Sequence, residues 1–96
     1  MANTIPNITI PKDTVVDIYN DPGVITAGIA VGDQIIVSME DTGNARLFTG
    51  AAAPSAIDNS TGFVGIKEGE AFINDAGDSG AFIWSLVGCV INVTAV

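Results

Sequence analysis

The sequence predicts an all-β domain: a small antiparallel β-sandwich or barrel of roughly seven or eight short strands, with a jelly roll among the forms this pattern takes. Three observations predict it. Short β-branched and apolar runs such as Thr14–Tyr19, Gln34–Glu40 and Cys89–Val96 recur along the chain. Turn-forming clusters of Gly, Pro, Asn and Asp separate them about every 8–12 residues. No stretch carries the apolar period of a convincing helix, and there is no internal repeat or low-complexity segment.

The elements follow in order. Residues 1–12 form an N-terminal arm ahead of a single β-domain over residues 13–96. Within the arm, Thr4–Ile10 reads as a short strand bounded by Pro6 and Pro11. Proline lacks the N–H a central strand must donate, so this strand belongs at a sheet edge or across a neighbouring subunit. Thr14–Tyr19 is a strand, ended by the turn formers Asn20-Asp21-Pro22-Gly23. Val24–Val31 is apolar throughout and reads as a strand bulged at Gly28. Gln34–Glu40 and Ala45–Thr49, joined by Asp41-Thr42-Gly43-Asn44, read as a hairpin. Arg46 then falls near Glu40 and Asp41, the setting of a local ion pair. Gly50–Gly62 has the composition of an exposed loop. Phe63–Ile66 and Glu70–Ile73 are short strands. Ala81–Leu86, apolar on both faces, and Cys89–Val96 close the chain as a second hairpin.

Composition bounds the function. At 96 residues the chain supplies one domain, whose folding hides roughly 65% of its unfolded surface. It is 48% apolar and 15% charged, against about 25% charged for an average domain. So little charge over so small a body favours oligomerisation or a place in a larger assembly. The net charge is −8, with only Lys12, Arg46 and Lys67 as bases. Nucleic-acid backbones and anionic membranes both call for clustered cations, so neither is an expected partner. No run reaches the ~18 apolar residues that span a bilayer, and the N-terminus lacks the basic and apolar regions of a signal peptide. Folding in a cytosol is expected.

The chemical motifs reduce to one. Gly77-Asp78-Ser79-Gly80 matches the local sequence around a serine-protease nucleophile. A serine hydroxyl needs a base to take its proton, and the chain contains no histidine. Ser79 therefore reads as a turn residue and the chain as a non-enzyme. Without histidine and with one cysteine, zinc and most transition-metal sites are excluded. Asn74, Asp75, Asp78 and Ser79 offer oxygen ligands but lack the spacing of a calcium loop. No cofactor is expected. Cys89, among Val87, Val90 and Ile91, reads as a buried small hydrophobe.

A set of features in order resembles a known group. Asp41-Thr42-Gly43 leads to Arg46-Leu47-Phe48; Gly69-Glu70, Gly77-Asp78-Ser79-Gly80, Phe82-Ile83-Trp84-Ser85 and Ile91-Asn92-Val93 follow. Over residues 24–96 this resembles the small virion structural proteins of tailed bacteriophages, of capsid decoration (cement) or head-fibre type. The resemblance implies a virion protein on the capsid surface, made in the host cytoplasm, with no catalytic residue. It implies contact with the major capsid protein and with further copies of itself, as a trimer. Candidate interface residues are Ile5, Ile8 and Ile10 of the arm and the stripe Phe82, Trp84 and Leu86, with Phe48 and Phe63 shared between core and interface. The rival expectation is a tail or head-fibre module whose loops Asp41–Asn44 and Ala51–Gly62 meet a host-surface ligand such as a saccharide.

Overall fold

The computed structural model describes residues 5–54, 64–75, 77 and 80–95. Eight strands among them build two four-stranded antiparallel sheets: β1 Ile8–Ile10, β2 Val16–Asp17, β3 Ile35–Met39, β4 Asn44–Thr49, β5 Val64–Lys67, β6 Ala71–Asn74, β7 Ala81–Trp84 and β8 Cys89–Ala95. Sheet I has the order β1-β8-β3-β6 and sheet II the order β2-β7-β4-β5. The pairs β1·β8 and β3·β6 in one sheet, with β2·β7 and β4·β5 in the other, nest one inside the next. That is jelly-roll topology, a sandwich of two facing sheets.

The core lies between the sheets, and β3 and β8 alternate toward it. β3 buries Ile35, Val37 and Met39, and β8 buries Cys89, Ile91 and Val93. Facing them are Ala45 and Leu47 of β4, Ile66 of β5 and Ala81 and Ile83 of β7. β1 lies at the edge of sheet I, with Ile8 opposite Ile91 and Ile10 opposite Cys89. An edge place suits a strand preceded by Pro6 and followed by Pro11.

Four expectations are corrected, each for a physical reason. The strand Thr14–Tyr19 shrinks to β2, and Ile18–Asn20 turns as a 3-10 segment. Bending there buries the adjacent Ile18 and Tyr19 together, where strand alternation would send one of them to the opposite face. Val24–Val31 is not a bulged strand. A short helix, α1, runs over Pro22–Thr26, capped by the Asp21 carboxylate, which accepts from the N–H groups of Gly23 (2.9 Å) and Val24 (3.4 Å). Asp21-Pro22 is thus cap and first helical residue, not merely a turn. Gly28 ends the helix at φ +84°, where its N–H donates to the Ile25 carbonyl and that of Ile29 to the Val24 carbonyl, a Schellman stop.

The other two corrections are topological. β3 and β4 do not form a hairpin, because the segment between them crosses from sheet I to sheet II. Asp41 stabilises that crossing: its carboxylate accepts from Gly43 N–H at 2.9 Å and from Val90 N–H at 3.0 Å. Likewise β7 and β8 lie in different sheets, joined through Leu86-Val87-Gly88. Each is second from an edge of its own sheet, so the last third of the chain supplies one inner strand to each layer.

One polar network bridges the layers. Asn74 on β6 is fully buried; its side-chain amide donates to Tyr19 Oη at 2.8 Å and its Oδ1 accepts from Thr49 Oγ1 of β4 at 3.1 Å. The Tyr19 hydroxyl donates in turn to the Asp33 carbonyl at 2.6 Å. Each of these buried side-chain groups has a partner, so the network imposes no unsatisfied polar atom on the core.

Candidate functional site

The site emerges from register. Across sheet II, Gly65 of β5 stands opposite Arg46 of β4, and Arg46 opposite Trp84 of β7. Their neighbours Ala45, Leu47, Ile66 and Ile83 point into the core, so alternation sends Arg46 and Trp84 outward. Gly65 puts no side chain into this row. A Cβ added there would meet only the Ala45 carbonyl oxygen, at 4.0 Å. The row therefore dips over β5, and an open groove of about 520 Å³ runs along it, reaching Asn44, Lys67, Glu70 and Leu86.

Local contacts fix the groove's walls. The Trp84 indole N–H donates to Asp13 Oδ1 at 3.0 Å, while the Asp13 N–H donates to the Ser85 carbonyl at 2.8 Å. Asp13 adopts φ 51° to make both contacts, a left-handed conformation that Asp tolerates better than most residues. The Arg46 guanidinium carbon lies 5.8 Å from the Trp84 ring centroid, within the ~6 Å range of a cation–π contact. Glu70 caps the β5–β6 turn, its Oε1 accepting from Lys67 N–H at 2.9 Å. Ser85, fully buried, donates its hydroxyl to the Asn44 carbonyl at 2.7 Å. The groove thus combines a half-buried indole, an apolar edge at Leu86, two cations, the carboxylate of Glu70, one amide and, behind the indole, the carboxylate of Asp13.

The residues singled out from sequence divide between three places. Trp84 and Leu86 line this groove, Leu86 being 61% exposed beyond the end of β7. Phe82 is buried on the same outward side of sheet II, directly opposite Phe48 in register. Ile5, Ile8 and Ile10 join the core cluster of this chain and are buried there. Asp41 is bound to Gly43 and Val90, Glu40 accepts from the Ser38 hydroxyl, and Arg46 lies over Trp84. Phe63, Asp78, Ser79 and residues 55–62 of the long loop lie outside the described residues.

Sequence reading missed Gly65, Lys67, Glu70 and Asn44. The one signal available was parity: Arg46 and Phe48 share a face, and so do Phe82 and Trp84, which places one cation on an aromatic surface.

Other chemistry has little material here. Asn74 is engaged in the core network and is not presented as a cation ligand. Among the described residues no group of three or more His, Cys, Asp or Glu side chains converges. Burial pushes the Cys89 thiol above its usual value; a hydrogen bond with Ser85 opposes that rise and the nearby Asp41 charge adds to it. Among the described residues no helix is long and apolar enough to cross a membrane.

Comparison with known proteins adds no relative: no protein-family model matches the chain, and no curated protein or solved structure matches it. Jelly-roll topology defines the class, an architecture that hosts capsid and lectin domains among others, and function must be argued from the site.

Proposed function

We propose that the chain is a non-enzymatic virion structural protein, a capsid decoration protein of a tailed bacteriophage that docks on the outer shell and associates with further copies of itself, as a trimer. The observation that carries this reading is the outer surface of sheet II. It presents Trp84 and Leu86 beside Arg46 and Lys67, with Leu86 61% exposed. Aromatic and Arg side chains around an apolar centre are the composition of a protein contact surface. The resemblance over residues 24–96, the jelly-roll sandwich and the charged fraction of 15% support it too. Ile5, Ile8 and Ile10 are occupied in the core of this chain, so the proposed contact runs through Trp84 and Leu86.

Sedimentation equilibrium of the purified chain, followed by titration onto expanded capsids that lack it, tests the reading. Saturable binding at hundreds of copies per particle is the expected result. A stable monomer without capsid affinity would refute the proposal.

A head-fibre or tail module that meets a host-surface ligand is the second reading. It is favoured by one observation: the groove extends to Asn44, the end of the Asp41–Asn44 connection. A copy number of a few to tens per virion would select it over decoration.

A further inference from the structure

We infer that the groove over β4, β5 and β7 is a binding site for a saccharide that carries carboxylate groups, of the uronic-acid kind found in surface polysaccharides. The inference rests on the head-fibre or tail reading, because a decoration protein would cover Trp84 and Leu86 with the shell.

Three features of the groove select this ligand. The first is charge. The whole chain has eleven acids and three bases, yet Arg46 and Lys67, two of those three bases, flank one groove. On a body of net charge −8, these two cations, set beside the Glu70 and Asp13 carboxylates, offer an anion partners of opposite sign. The guanidinium and ammonium differ in kind: a planar fork suits a carboxylate and a point charge suits a second oxygen.

The second feature is the ring. Trp84 is held by its N–H on Asp13, so its orientation is set before any ligand arrives. An indole surface beside polar donors accepts the C–H face of a pyranose while its hydroxyls turn to the rim. A peptide of acidic residues has no comparable apolar face. The third is the mixed rim. Glu70 adds a carboxylate and Asn44 an amide, so acceptors and donors alternate with the cations. Hydroxyl groups, which both donate and accept, satisfy such a rim.

Size agrees, because about 520 Å³ lies within the usual volume of small-molecule sites. Its open form suits a segment of a long chain, whose ends leave on either side. Gly65 makes the room: any side chain there would enter the space the sugar needs, without striking the strand beneath it.

The chain contains one tryptophan, so its fluorescence reports on the site directly. Titration with tri-galacturonate is expected to change that emission saturably. Maltotriose, lacking carboxylates, and tri-glutamate, lacking the sugar face, are each expected to bind at least about tenfold more weakly. Arg46→Gln is expected to remove most of the preference for tri-galacturonate over maltotriose. Gly65→Leu is expected to abolish the response while the thermal unfolding midpoint stays close to that of the parent; should it fail to fold, Lys67→Gln and Arg46→Gln decide in its place. No saturable response to tri-galacturonate, an equal response to either control, or undiminished binding by a folded Gly65→Leu would overturn the inference. Copy number per virion tests the fibre or tail reading without any saccharide, so failure of that reading and failure of saccharide binding are distinguishable.

Discussion

The two sheets solve the same problem on their inner faces and different problems on their outer ones. Inside, each offers alternate aliphatic residues to a shared core. Outside, sheet I carries polar side chains that pair with one another beside the exposed Ile73. Asn92 donates to the Ile5 carbonyl and Asn7 Oδ1, Thr94 donates to Asn92 Oδ1, and Ser38 to Glu40. Its polar groups thus answer one another close to the surface. Sheet II instead buries Phe48 and Phe82 on its outer side and sets Trp84, Arg46 and the groove beside them. A fold of this size needs one buried face per sheet; the second apolar face of sheet II goes beyond that need. The difference puts mutually paired polar groups on the outer side of one sheet and buried aromatics with a groove on the outer side of the other.

Paired substitutions on the two outer faces give the largest test of that contrast. Phe82→Ala on sheet II is expected to lower stability by about 3–5 kcal/mol, as a buried Phe does when truncated. Ile73→Ala on sheet I, where the side chain is 52% exposed, should change it by about 0.5 kcal/mol or less. Urea unfolding of both variants measures the gap, and equal losses would erase the distinction.

A smaller effect probes what ties the sheets together. Asn74→Ala leaves the buried Tyr19 hydroxyl without its donor and removes the acceptor of Thr49. The expected loss is about 1–3 kcal/mol, read from the same denaturant curves. Tyr19→Phe should restore little of it in the double variant, since both residues act in one network.

The smallest effect concerns Cys89, on the inner face of sheet I. Its thiol is raised in the folded state, chiefly by burial. An acid with a raised folded value keeps its proton longer than the unfolded chain does. Its contribution is therefore complete below the ordinary thiol value and is lost as pH rises through it toward the folded value. Stability should decline modestly on the alkaline side, and Cys89→Ala should flatten that decline. Alkylation of Cys89 in the native protein should be slow until the chain unfolds.

Much of the architecture was legible in the chain, and the reasons for the rest are specific. Gln34–Glu40 and Cys89–Val96 alternate cleanly because one face of each is core, so their β character and inner residues were visible. Pairing partners were not. A turn-rich connection such as Asp41–Asn44 looks the same whether it folds back in one sheet or crosses to the other, and only long-range contacts decide. Asp21-Pro22-Gly23 carries turn and helix-start signals at once, so α1 was hidden by an ambiguity of local chemistry. At the groove, Trp84 and Leu86 stood out by type. Gly65 did not, because its role is an absence of side chain opposite Arg46, and that becomes visible only when β4, β5 and β7 are set in register.

The nested pairing also ranks the strand contacts by what they cost to close. β4 and β5 are the innermost pair, and each further pair encloses a longer loop, out to β1 with β8. Closing longer loops costs more chain entropy, so assembly from the middle outward is the cheapest route. Sheet I cannot hold β1 until residues 89–95 have been synthesised, because β8 stands between β1 and β3. Until then Ile8 and Ile10 have no strand to cover them. The emerging chain therefore carries an exposed apolar N-terminal segment through most of its synthesis, and the last strand in chain order is the one that conceals it.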